Sequence, residues 1–176
     1  MDFQGFPKIP RLSRNCVITE KIDGTNASIC IGEDGSFLVG SRTRWITPEQ
    51  DNQGFARWAN EHKDELIVGL GFGHHFGEWW GAGIQRRYDL KEKRFSLFNT
   101  GRWTEDNKPQ CCYIVPVLAV GVFSTHLIEE TLDELAMSGS VAAPGFMKPE
   151  GIVIYHEASR SMFKKTIEKD EGKESA

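Results

Sequence analysis

The sequence predicts an α+β chain with antiparallel-looking strands, on three observations. Short β-branched and aromatic runs recur between glycine turns, from Cys16-Val17-Ile18-Thr19 to Gly151-Ile152-Val153-Ile154-Tyr155. Two segments follow a helical period instead. Phe55, Trp58, Ala59 and His62 fall at i, i+3, i+4 and i+7, and Ile128, Leu132 and Leu135 line one face farther on. The charged residues that lack an obvious solvent role sit at strand edges rather than within the helices.

A chain of 176 residues can bury a sizeable core and is read as one domain, residues 1–167, with a charged tail at residues 168–176. Glu168 to Ala176 holds four acids and two lysines, too much charge to pack, and is expected to be mobile. The apolar fraction of 39% is ordinary for a soluble globular protein, and no run is long enough to span a bilayer. There is no basic-then-apolar leader, and Cys16, Cys30, Cys111 and Cys112 lack zinc spacing. A reduced, cytoplasmic chain with no membrane partner is therefore expected. A net charge of −4 argues against a generic coat for polyanions. Arg86 to Arg94, with five basic residues against two acids, fits either a partner held at one place, such as a nucleic-acid end, or a solvated turn.

In chain order, residues 1–14 read as an irregular lead-in, blocked by Pro7 and Pro10 and made positive by Lys8, Arg11 and Arg14. The runs on either side of Glu20-Lys21-Ile22-Asp23-Gly24-Thr25-Asn26 read as a β-hairpin turned by Asp23-Gly24. Lys21 sits where the buried strand meets the turn. A lysine there is most often solvated, yet partial burial or a neighbouring cation would make its amine a nucleophile. Asp34-Gly35 turns the chain into Phe37-Leu38-Val39, which leads to Arg42, Arg44 and Trp45. The helix from Phe55 is capped by Asp51 or Asn52, and a further turn or two through Leu66–Leu70 stops at the glycines beyond. His74 to Gly81 reads as a strand with Glu78 among apolar neighbours, where a carboxylate needs a partner or ligand. His74 and His75 point to opposite faces and do not form a metal site. Phe95 to Phe98 is another strand. Tyr113 to Val122, interrupted by Pro116, is an edge strand. A helix over 125–137 is capped by Ser124 or Thr125 and ended by Gly139, followed by a loop from Ala142 to Lys148. The last two strands run Gly151–Tyr155 and Ser161–Ile167, with Glu150 just ahead of the first and Lys164 and Lys165 inside the second.

Lys21, Arg42, Glu78, Glu150 and the lysine pair ask for a common explanation. A lysine nucleophile, two carboxylates and further cations are what nucleotidyl transfer needs. Carboxylates hold a divalent metal or a ribose hydroxyl, and cations neutralise charge growing on phosphate. Lys21-Ile22-Asp23-Gly24 resembles the K-x-D-G motif of the covalent nucleotidyltransferases. The longer run to Asn26 resembles the RNA ligase 2-like branch of the ATP-dependent RNA ligases, since DNA ligases and capping enzymes usually carry arginine in place of Asn26. Ser41-Arg42, Gly77-Glu78, Phe95 to Phe98, Glu150 to Ile154 and Phe163-Lys164-Lys165 match the later motifs in order.

The resemblance implies two antiparallel sheets forming a nucleotide cleft, with helices outside, in a nucleotidyltransferase domain spanning residues 1–167. It implies that Lys21 attacks the α-phosphate of ATP, holds AMP, and passes it to a 5′-phosphate that a 3′-hydroxyl then seals. Glu20 and Ile22 would lie at the nucleotide, Glu20 beside the adenine. Arg42 and Glu78 would hold the ribose and Phe98 would stack on the base, unless it is a core residue. Glu150 would serve magnesium or manganese, Lys164 and Lys165 the α-phosphate, and Asn26 the nucleic-acid steps. RNA ends are the implied partners, and a partner protein could supply the extra domain that relatives carry. A DNA ligase of the same superfamily and a silent end-binding module are the competing readings. One departure stands out: the last motif usually places its two lysines one residue apart, whereas here they are adjacent and Thr166 takes the alternate place. Alternation then expects Lys164, rather than Lys165, to share a face with Met162 and Thr166 toward the cleft.

Overall fold

The computed structural model describes residues 1–168. The expected tail thus lies, but for Glu168, outside the described residues. Ten strands and three helices follow in the order β1 (Asn15–Lys21), β2 (Thr25–Ile31), β3 (Phe37–Ser41), β4 (Trp45–Ile46), α1 (Phe55–Glu61), α2 (Lys63–Leu70), β5 (Gly73–Gly81), β6 (Lys93–Leu97), β7 (Tyr113–Ile114), β8 (Val117–Val122), α3 (Thr125–Ser138), β9 (Gly151–His156) and β10 (Ser161–Thr166). They form two sheets, one ordered β10-β9-β1-β8 and the other β4-β3-β2-β5-β6-β7. The fold class is α+β, as expected.

Each sheet has its own core. On the six-stranded sheet, Ile29, Trp79, Phe95 and Leu97 alternate onto one face and pack against Phe55, Ala59, Leu66 and Leu70 of α1 and α2. On the four-stranded sheet, Cys16, Ile18, Ile152 and Ile154 pack against Leu132 and Leu135 of α3. Fully burying one such large apolar side chain stabilises by about 1.5–3 kcal/mol, so each layer is held by several. The N-cap of α1 is Gly54 rather than Asp51 or Asn52, but the Asp51 carboxylate reaches in from before it and accepts from the first-turn N–H groups of Ala56 and Arg57 at 2.7 and 3.2 Å. Ser124 caps α3 by accepting from the Leu127 N–H at 3.1 Å.

Two expectations are corrected. The run around Asp23-Gly24 is a crossover, not a hairpin: β1 pairs with β8 and β9, whereas β2 pairs with β3 and β5 in the other sheet. Gly24 is needed for closeness, because a Cβ there would lie 2.5 Å from the Trp79 carbonyl oxygen and 2.7 Å from Trp80 Cβ. Likewise Tyr113 to Val122 is not one strand. The chain leaves the six-stranded sheet after β7, passes Pro116, and enters the four-stranded sheet as β8, with β7 parallel to β6 rather than antiparallel. Among the described residues no helix is long and apolar enough to cross a membrane.

Candidate functional site

The two crossings bring the open faces of the sheets together at the β1–β2 turn. There Lys21, Asp23, Gly24, Thr25, Asn26, Arg42 and Glu78 line a polar pocket of about 230 Å³. Lys21 ends β1 and is half-buried. Its partner across the ladder is Gly151, which puts Glu150 beside it: the Lys21 Nζ lies 2.6 Å from Glu150 Oε2. The Ile167 N–H donates to the Glu150 carbonyl and fixes that residue at the mouth of β9.

Glu78 faces Lys21 from the other sheet. Its register partners are Asn26 and Ser96, and its two oxygens accept from the Gly24 N–H and the Asn26 amide, both at 3.1 Å. Burial pushes its carboxyl from the ordinary 4.5 up to about 7, against the pull of Lys21 and the two donors, while Glu150 adds to the rise. A carboxyl so poised can gain or lose its proton near neutrality, and an incoming cation or hydroxyl donor would favour its charged form. Asn26 therefore holds Glu78 in place.

The strand registers also settle which way the last lysines face. Lys164 lies across from Val153 and Thr19, on Lys21's face of the sheet, and Thr166 lies across from Gly151 in Lys21's own row. Lys165 faces α3, 3.9 Å from Glu129. Phe98 follows β6 on the same face as Glu78, is 40% exposed, and donates its N–H to the Phe76 carbonyl. It is not a core residue, and it lies outside the pocket rather than in its wall.

Glu20 and Ile22, expected at the nucleotide, do not line the Lys21 pocket. The Glu20 side chain is buried on the opposite face of β1, where it accepts from Ser140 Oγ at 2.6 Å and from the Val141 and Ala142 N–H groups at 2.9 Å. Ile22 packs with Trp80, Tyr88, Val115 and Ala143 in a third cluster beneath the crossover.

The sequence reading missed what holds the turn itself. The Asp23 N–H donates to the Tyr88 hydroxyl at 2.8 Å, and the Asp23 carboxylate pairs with Arg86 at 3.0 Å. The same guanidinium donates to the Lys148 carbonyl at 3.1 Å, two residues before Glu150. Gln85, Arg87, Tyr88 and Asp89 all have positive φ, between 42° and 62°, so this clamp is built on unfavourable backbone. Its signal was the basic strip from Arg86, which is largely spent inside the molecule: Lys93 donates to the Gln53 carbonyl and Arg94 pairs with Glu92.

Residues 14–169 match the model of a protein family described as RNA ligase. Comparison with curated proteins finds no match. Among solved structures, Naegleria gruberi RNA ligase with PPi is similar at TM-score 0.64 and 22% identity, over 88% of this chain and 50% of that one. A mutant of that enzyme with ATP and Mn gives 0.62 and 20% over 88% and 49%. Another with AMP and Mn gives 0.63 and 19% over 88% and 50%. The chain spans about half the length of these structures, and the likeness shows a shared fold.

Proposed function

The chain belongs to the RNA ligase family, and on that premise we propose that it charges Lys21 with AMP from ATP, transfers the AMP to a 5′-phosphate on RNA, and seals that end to a 3′-hydroxyl. The observation that carries this reading is the gathering of Lys21, Arg42 and Glu78 in one pocket with Glu150 on the Lys21 amine. These residues are scattered over two strands and two loops, and local folding alone gives no reason for their meeting.

In the first step the Lys21 nitrogen forms a bond to the α-phosphorus as the bond to pyrophosphate breaks. Lys21 must give up a proton, and Glu150 Oε2 is an acceptor at 2.6 Å. Lys164, on the same sheet face, supplies positive charge where the phosphate gathers negative charge. A pocket of about 230 Å³ falls below the roughly 300–1,000 Å³ usual for whole ligands. It suits the ribose and phosphate, held by Arg42 and Glu78, with the base lying outward on Phe98. A divalent cation, magnesium or manganese, fits Glu150 plus phosphate and water oxygens, and when bound neutralises charge on the transferring phosphate. Among the described residues no cluster of three or more His, Cys, Asp or Glu would cage a metal, which suits a hard cation shared with the substrate.

The test offers nicked RNA and nicked DNA, each with a 5′-phosphate, together with ATP and either metal. Sealing or 5′-adenylylation of the RNA, and little of the DNA, is expected. Preference for DNA would favour the DNA ligase reading, and no AMP transfer to either would reject polynucleotide ligation by this chain.

A further inference from the structure

We propose that Trp45, His74 and Phe76 form a stacking platform for unpaired bases of the RNA strand, a proposal that rests on the RNA ligase reading above. The three residues lie on the open face of the six-stranded sheet, the face that carries Glu78 and Phe98. Phe76 pairs with Ser28, which pairs in turn with Gly40, and Trp45 lies across from Gly40 on the edge strand. A Cβ at Gly40 would come within 3.2 Å of the Trp45 ring, so the indole lies down over the glycine. His74 fills the space between the other two rings. Its centroid is 5.7 Å from Trp45 and 4.1 Å from Phe76, with interplanar angles of 30° and 32°.

The rings of this row are in mutual contact and yet exposed. Trp45 and Phe76 are 51% and 55% exposed in a chain that holds Trp79, Trp80 and Trp103 to 6% or less. Charge says what covers it. Arg42 and Arg44 precede Trp45 in the β3–β4 turn, and Arg42 also lines the Lys21 pocket, so the rings run outward from that pocket with the arginines of the turn at its end of the row. Beyond His74 the β2–β3 hairpin presents Glu33 and Asp34, which ends the positive track. Shallow, tilted rings next to an arginine-bearing turn suit the π-faces and phosphates of a single strand, in which every base offers a face to stack on. A base-paired strand hides those faces.

The experiment measures binding of a fluorescent oligouridylate of about ten nucleotides with a 5′-hydroxyl end, so that no ligation chemistry intervenes. Trp45→Ala and Phe76→Ala should each weaken binding about tenfold, while Trp45→Phe, which keeps a ring, should stay within about threefold of the parent. Both side chains are more than half exposed, so the variants should fold. Formation of the AMP adduct by Trp45→Ala should match the parent. If the parent takes up AMP and both alanine variants bind the oligomer as tightly as it does, the platform is wrong and the ligase reading stands. If the parent takes up no AMP, the ligase reading fails whatever the rings do. Equal affinity for a duplex of the same length, insensitive to both variants, would also overturn the platform.

Discussion

Glu78 is held protonated by the fold up to about pH 7, which has a consequence for stability. A carboxyl whose folded-state pKa lies above its unfolded value binds its proton more tightly when folded. Its contribution to stability is present below about pH 4.5, declines as pH rises to about 7, and is lost above that. Glu78→Gln keeps an acceptor for the Gly24 N–H and has no charge to bury. The variant should lose this decline and melt higher than the parent at about pH 8, as thermal denaturation across that range would show. An unchanged slope would mean that some other group sets it. At the last motif, Lys164→Ala should slow AMP-adduct formation roughly a hundredfold. Lys165→Ala should cost little, because its partner Glu129 is exposed and such pairs contribute about 1 kcal/mol or less. Equal small losses would reject the cleft role of Lys164. The facing of these lysines was legible because strand alternation is a strict rule. The same rule turns Glu20 to the face of β1 opposite Lys21.

Among the elements, the β1–β2 crossover matters most for placing the nucleophile. Gly24→Ala forces a methyl group against the Trp79 carbonyl and Trp80. It should cost about 1–3 kcal/mol of stability and slow AMP uptake by moving Lys21. Tyr88→Phe removes only the acceptor of the Asp23 N–H, at about 1 kcal/mol. Chemical denaturation and adduct kinetics on the pair would separate overpacking from loss of one hydrogen bond. If neither variant slowed AMP uptake, the crossover would not set the position of Lys21. Asp-Gly marked the bend in the sequence but could not say which strands it joins, because turn residues report local backbone and not strand partners. The same holds at Pro116, where one β-rich run divides between two sheets. The clamp from Arg86 and Tyr88 was hidden for a related reason: a cation 63 residues from Asp23 reads as surface charge until the fold brings them together.

In the whole molecule, two sheets with separate cores meet through a small third cluster around Ile22 and Trp80, and the Lys21 pocket lies at the same crossover. The order of the motifs made part of this arrangement readable, since Lys21, Arg42 and Glu78 come from separate motifs and line one pocket with Glu150 on the Lys21 amine. The central claim is that Lys21 is the nucleophile. Intact-mass measurement after incubation with ATP and magnesium or manganese tests it most directly, on the parent and on a Lys21→Ala variant whose folding is checked by circular dichroism. The account predicts a gain of one AMP on the parent and none on the variant. An adduct of the same size on folded Lys21→Ala, or none on the parent with either metal, would contradict it.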